Sequence, residues 1–573
     1  KYLYIFMVYN SEDFTITYFY GGKVKKRVLI GIVVVLCIIL GIIFISREMD
    51  GIIGSKEKVT QEQLYQVEGD EVALVYNYSL QKAKAIYKDG VVYVPLNWTR
   101  AILNDKFYYS DDEKLLSYAL PTEIVYANFE NVDNNGKPLL LESDGKVYLS
   151  IETIKAYTDV WVDSYTDSEI KRVYINNTFG SYDVATIKSK SGLRVDADNW
   201  SASIENAELK KDENVTIVEQ NEKWYKVFTQ SGLMGYVKKN HLKNFTQAER
   251  QSGFVKPEYT SISMDEKVVL GWHQVTTAAA NSGMEKVVAN TSGMNVISPT
   301  WFKLSDNKGN YTSIASKDYV DAAHKKNLQV WPLIDNFSKD ISTLKILSSS
   351  ENRKNLISNL IADAKKYGFD GINIDFESLT QDNAPHFIQF IRELSVSCRN
   401  NKIVLSVDVP IPASYNMYYE RDELAEVVDY VINMGYDEHY SGSDEGSSAS
   451  IDFVKNSITD SLTEVPKEKL INAVPVYTRV WTKENDKVTS TALGMVGAAT
   501  WVKENNVNLT WDEEVGQYVG QTTVGNATKY IWMEDERSMK LKMDAVKEAD
   551  LAGVAVWKLG LEPKEIWDVI SYK

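Results

Sequence analysis

Asp370-Gly-Ile-Asn-Ile-Asp-Phe-Glu377 decides how the C-terminal half of the chain is read. Side chains alternate faces along a strand, so Asn373, Asp375 and Glu377 share one side, and Ile372, Ile374 and Phe376 share the other. An apolar face of this kind packs against covering helices. A polar line facing a folded interior is costly unless it is hydrogen-bonded or functional. Two carboxylates two residues apart on one face repel each other. Repulsion raises the pKa of one of them and keeps a proton available for a leaving group.

Working outward, buried-type strands alternate with amphipathic helices from Glu266 onward. The strands are expected at Val268–His273, Met294–Trp301, Leu328–Ile334, Gly371–Phe376, Ile403–Val409, Tyr430–Tyr436, Leu470–Val476 and Gly553–Trp557. Eight parallel strands over this length point to a (β/α)8 TIM barrel covering residues 264–573. Periodicity alone leaves an open α/β sheet as the alternative. Glu377 falls at the C-terminal end of the fourth strand, where barrel enzymes carry their catalytic groups.

The 573 residues allow several domains. An apolar share of 44% and a charged share of 25% are ordinary for globular protein. A net charge of −16 argues against nucleic acid as a partner, because phosphate binding needs clustered Lys and Arg. Cys37 and Cys398 give no disulfide framework, and the scattered histidines give no metal-ligand spacing. Neither a metal nor another cofactor is expected.

Residues 28–45 form an uncharged apolar run, preceded by Lys23, Lys25, Lys26 and Arg27. Its length and flanks predict a transmembrane anchor with a cytoplasmic segment 1–27 and everything after Arg47 outside. A cleaved signal peptide is the competing reading, but no small-x-small site follows the run. The expected location is therefore a single-pass protein of a bacterial cell membrane with an extracellular catalytic domain.

Between anchor and barrel, residues 65–177 carry a weak internal repeat. Gly90-Val-Val-Tyr-Val-Pro-Leu96 recurs as Gly145-Lys-Val-Tyr-Leu-Ser-Ile151, each copy followed by a short helical stretch and an alternating strand (Leu115–Leu120, Ile170–Ile175). This predicts duplicated α+β units. The segment resembles the small N-terminal domain of copper amine oxidases, without histidines for a copper site. Residues 181–245 read as short strands with turns, among them Trp224–Val237 folded at Ser231-Gly232. They resemble the bacterial SH3-like barrel, which implies binding of cell-wall peptides or glycans; a ligand-free spacer is the alternative. Residues 246–263 form a linker.

The eight residues 370–377 resemble the signature of glycoside hydrolase family 18, which includes chitinases, endo-N-acetylglucosaminidases and spore-cortex-lytic enzymes. Met434-Gly-Tyr-Asp-Glu-His439 is similar to that family's sixth-strand motif, and Val554-Ala-Val-Trp557 to its last strand. The resemblance implies that Glu377 is acid and base, that Asp375 orients the substrate's acetamide, and that Tyr436 bonds its oxygen. It places Asn373, Asp370, Met434, Asp437, Trp557 and Trp272 around the substrate. Met434 as core, Asp437 as a loop-solvating group, and Trp272, Trp301 and Trp481 as core or sugar platforms stay open. Many family members have Asp where this chain has Asn373. Asn373 is expected to hydrogen-bond Asp375 without sharing a proton, which changes the pH profile.

The implied activity is substrate-assisted, retaining cleavage of β-linked N-acetylglucosamine in peptidoglycan or spore cortex, by a monomer. The anchor–SH3-like–barrel order and Trp557-Lys-Leu-Gly560 lean towards the cortical type. Chitin or N-glycan cleavage, or a catalytically inactive glycan-binding barrel, are the alternatives.

Overall fold

The computed structural model describes residues 8–10, 13–15, 31, 33–39, 55–485 and 487–572. It divides into two compact units: Lys1–Thr99 with Leu141–Val255, and Arg100–Leu140 with Lys256–Lys573.

Most of the apolar run 28–45 lies outside the described residues; within it, residues 31 and 33–39 are helical. Among the described residues no helix is long and apolar enough to cross a membrane. This corrects the expected anchor and the single-pass membrane location drawn from it.

In the first unit the repeat is visible as a pair of hairpins. Asp89-Gly90 and Asp144-Gly145 both have positive φ at both positions, 51° and 86°, then 50° and 70°. That is the backbone of a two-residue type I′ turn, which favours Asp-Gly. The strands leaving the two turns, Val91–Pro95 and Lys146–Ser150, pair antiparallel with each other, Leu149 opposite Val94. Each runs into a short helix, Leu96–Ile102 and Ile151–Tyr157. The two copies then part. Arg172–Asn176 stays in the same seven-stranded sheet, whereas Leu115–Ala119 belongs to a three-stranded sheet in the second unit. Residues 65–177 are therefore divided between the two units. The strands of residues 180–250 form a separate, mainly antiparallel sheet with a core of Leu193, Val215, Val227 and Val237.

The second unit holds the barrel. Its strands are β1 (Val268–His273), β2 (Val296–Pro299), β3 (Gln329–Val330, resuming at Leu333–Asp335), β4 (Gly371–Asp375), β5 (Val404–Pro410), β6 (Tyr430–Met434), β7 (Leu470–Pro475) and β8 (Gly553–Trp557). Neighbours pair in parallel around the ring, and β8 pairs with β1 to close it. The ladder of β3 breaks at Trp331-Pro332, where proline has no N–H to give. A closed parallel ring rules out the open-sheet alternative.

Alternation sorts each strand into two layers. Leu270, Trp272, Val296, Trp331, Leu333 and Ile432 fill the interior. Val269, Ile297, Ile334, Ile372, Ile374 and Phe376 pack outward among the helices. Two helices of 18 residues each flank β4. Ser350–Tyr367 starts at an Ser349 cap and stops at Gly368, whose φ of 81° suits glycine. Ala384–Asn401 opens with Pro385 in its first turn and is buried along most of its length. The sheet of residues 108–127 lies on these two helices: Gln389 donates to Ser117 (3.2 Å), and Tyr108 meets His386 (2.5 Å). Leu116 and Tyr118, on either side of Ser117, are both buried.

Between β7 and β8 the chain inserts a five-stranded antiparallel sheet (residues 477–533) with one helix, Met495–Glu504. Its first strand, Tyr477–Glu484, starts directly after β7 and brings Tyr477 and Arg479 to the strand ends.

Candidate active site

β4 ends at Asp375, so Glu377 lies two residues beyond the strand rather than on it. Asn336, just after β3, grips the Glu377 backbone from both sides. Its Oδ1 accepts from the Glu377 N–H (2.9 Å), and its Nδ2 donates to the Glu377 carbonyl (3.0 Å). Ser378 turns the chain away with φ 55°. The Glu377 side chain is thus presented, half-buried, by a fixed backbone. Burial first, then the negative charges of Asp437 and Asp335, hold its carboxyl above the usual range.

Below it on the inner face, Asn373 is fully buried at the centre of a hydrogen-bond cluster. The Trp272 indole N–H (3.0 Å) and the Ser298 hydroxyl (3.4 Å) donate to its Oδ1. Its Nδ2 donates to Ser406 (3.0 Å) and to Asp408 (2.8 Å). The expected bond from Asn373 to Asp375 is replaced by this one to Asp408 on β5. Asp375 lies between them and Glu377, 6% exposed, with Oδ1 buried and unbonded. Burial and the negative charges of Asp408, Glu377 and Asp335 raise its carboxyl well above the usual range.

Tyr436, just past β6, has a phenol pushed up by burial and by Asp375, Tyr477, Asp408 and Glu377, which places it in the same cluster. Asp437 is exposed with φ 58°, accepts from the Tyr477 hydroxyl (2.5 Å) and lies 3.6 Å from Arg479. Met434 is half-buried at the end of β6. Trp557 is half-buried at the end of β8, its ring edge-on to Trp272 at 5.8 Å.

Trp272 is 1% exposed and bonded to Asn373, so it supports the floor from inside. Trp301 and Trp481 are interior too, donating to Asn281 and to the Gly446 carbonyl. Asp370 does not join the group. It precedes β4, and its carboxylate takes the Val330 N–H (2.8 Å) and meets His324 (2.8 Å). At about 3.3 Å per residue it stands roughly 20 Å of chain from Glu377, at the opposite end of the strand.

Six residues of the cluster were not singled out in the sequence: Asp335, Asn336, Ser298, Ser406, Asp408 and Tyr477. A signal existed for four. Ser298, Asp335, Ser406 and Asp408 are polar interruptions on one face of otherwise apolar strands, the same pattern that exposed Asn373 and Asp375. Trp272→Phe tests the cluster's internal bonding. It deletes one donor to a buried amide oxygen, and we expect it to cost about 1–3 kcal/mol of stability in denaturant unfolding.

The family model of glycosyl hydrolases family 18 matches residues 218–562, more than half of the chain. The chain belongs to that family. The barrel is accordingly a glycoside hydrolase domain. Among curated relatives, the uncharacterized glycosylase YvbX of Bacillus subtilis is 26% identical over 290 residues, 48% of this chain and 84% of the relative. The cortical fragment-lytic enzyme of Bacillus subtilis is 27% identical over 244 residues, 41% of this chain. The chain spans 56% of that enzyme's length. Among solved structures, the Bacillus cereus spore cortex-lytic enzyme SleL matches at 20% identity with TM-score 0.49, over 56% of this chain and 77% of that one.

Proposed function

We propose that this family 18 barrel cleaves β-linked N-acetylglucosamine in peptidoglycan or spore cortex, with retention of configuration and as a single chain. Glu377, whose carboxyl is raised by burial and by Asp437 and Asp335, gives its proton to the glycosidic oxygen. The substrate's own acetamide oxygen attacks the anomeric carbon, as in the substrate-assisted exceptions to the two-carboxylate scheme. Asp375 takes the acetamide N–H and offsets the positive charge of the oxazolinium ring. Tyr436 holds the acetamide oxygen, and Trp557 supplies an apolar floor, with Met434 and Asp437 beside the sugar. Glu377, now ionised, then takes a proton from water as water opens the ring.

The observation that carries this reading is the negative cluster itself. Asp375, Asp408 and Asp335 lie around the position where positive charge would develop, and half-buried Glu377 stands at its edge. Such a field stabilises a cationic intermediate strongly where water is excluded. The likeness to the cortical fragment-lytic enzyme supports wall-type glycan as the polymer. The short strands of residues 181–245 support an SH3-like module that holds the same polymer.

The test is incubation of the full chain with peptidoglycan, spore cortex and chitin, followed by reducing-end analysis. Cleavage of the first two over chitin is expected. Preferred cleavage of chitin, or binding without cleavage, refutes the substrate assigned here.

The field also sets a pH dependence. Cleavage needs Glu377 protonated, so the rate falls on the alkaline side as Glu377 ionises. Asp437→Asn removes one of the charges that raise this carboxyl. The alkaline limb of kcat against pH is expected to move to lower pH; an unmoved limb contradicts the electrostatic assignment.

A further inference from the structure

Asp408 takes no part in the mechanism above, although it is 2% exposed and faces the barrel interior. The register of β4 and β5 sets Asn373 opposite Ser406 and Ile374 opposite Val407. The pairing ends there; Asp375 and Asp408 are the next residue on each strand, and alternation puts both on the inner face with Asn373 and Ser406, on strands about 4.8 Å apart. Asn373 fixes Asp408 by a 2.8 Å hydrogen bond to its Oδ1, while Asp375 Oδ1 has no bond at all. The groups facing the pair are Asn373 and Glu377 from β4, Asp335 from β3 and Tyr436 from β6. None of these carries a positive charge. Arg479, across from Tyr477, lies beside Asp437 at 3.6 Å. Two ionised carboxylates so placed in a buried site are strongly disfavoured, and one proton shared between them relieves the repulsion.

We propose that Asp375 and Asp408 hold a single proton between them, with Asp408 as the proton partner of Asp375 and Asn373 as the fixed donor that aims it. This rests on the catalytic reading above. When the oxazolinium ring forms, the Asp375 O–H bond breaks and an O–H bond forms on Asp408. Asp375 then carries a full negative charge beneath the cation, and the pair as a whole keeps the same charge. When water opens the ring, the proton returns. The missing carboxylate at position 373 is thereby supplied from the neighbouring strand. Asp408 is a positioning residue: it acts on the substrate through Asp375.

The test needs no substrate, so it stands or falls separately from the activity. The full chain carrying Glu377→Gln, which removes that residue's own proton, is labelled with 13C-aspartate, and its infrared spectrum is recorded at pH 7. A protonated aspartic C=O band is expected. Adding Asp408→Asn should abolish it, and adding Asp375→Asn should abolish it too, because the remaining partner then ionises alone. Loss in both variants supports the shared proton. Absence of the band in the parent, or its persistence after either substitution, overturns it. If Asp408→Asn does not fold, Asp408→Ser takes its place, and loss of the band in that variant as well as in Asp375→Asn is still required. In chains with Glu377 intact, Asp408→Asn is expected to lower kcat about tenfold or more, at the lower end of acid–base effects, with KM within about twofold. A change confined to KM contradicts the assignment.

Discussion

Glu377→Gln is expected to lower kcat on N-acetylated glycan by about 10²–10⁴-fold, the usual worth of a positioned proton donor. The amide has nearly the same shape and keeps the backbone grip of Asn336, so substrate binding should change little. The same substitution carries a stability signature of predictable sign. The folded-state pKa of Glu377 is raised above its unfolded value. Its favourable contribution is therefore fully present at pH values below the unfolded carboxyl range and is lost as pH rises through the folded value. Glu377→Gln should thus raise the melting temperature relative to the natural chain at pH 8 and leave it nearly unchanged at pH 4. An enzyme that becomes inactive and more stable at once locates the residue in a strained, functional field. A variant that stays active, or melts lower at pH 8, does not.

The second large effect concerns the wall behind β4. Arg353 and Glu393 are both fully buried, on the two helices that cover this strand. Nε and Nη2 of Arg353 reach the two carboxylate oxygens at 3.0 and 2.8 Å, and Nη1 donates to the Leu347 carbonyl at 2.7 Å. The guanidinium also lies 4.8 Å from the Tyr108 ring centre, so the pair anchors the 108–127 sheet to the barrel. Arg353→Met leaves the Glu393 carboxylate buried without its cation. The expected cost is about 3–5 kcal/mol in denaturant unfolding of the catalytic unit. Replacing both partners, Arg353→Met with Glu393→Leu, should recover most of that loss, because the penalty comes from the stranded charge. Equal destabilisation by the single and the double variant contradicts this account.

Much of the barrel was legible because strands and helices there follow strict periods. Ile372, Ile374 and Phe376 point outward, and Asn373 and Asp375 inward, as alternation requires. The break in β3 at Pro332 and the early end of β4 before Glu377 were blurred, since an apolar run does not mark where its ladder of hydrogen bonds stops. Partnership across strands was harder still. The link from Asn373 to Asp408 joins residues 35 positions apart and depends on the register between β4 and β5, which no local pattern specifies. The same applies to Asn336, whose role is a backbone clamp invisible in its residue type. Asp370 differs: the motif resemblance set it beside the substrate, and the length of β4 carries it to the far end of the strand from Glu377. The fate of Leu115–Ala119 was hidden because a repeat records ancestry of the pattern, while the partner that holds Ser117 is Gln389, 272 positions later.

The central claim is that the acetamide of the substrate, and no protein carboxylate, attacks the anomeric carbon while Glu377 moves the proton. The most direct measurement is proton NMR of the sugar end released from a β-linked N-acetylated glycan in the first moments of cleavage, before mutarotation. Two displacements at one carbon predict that the new reducing end appears first as the β anomer and drifts to the α/β mixture afterwards. An α anomer at the earliest time points would mean single displacement by water, and would contradict the account.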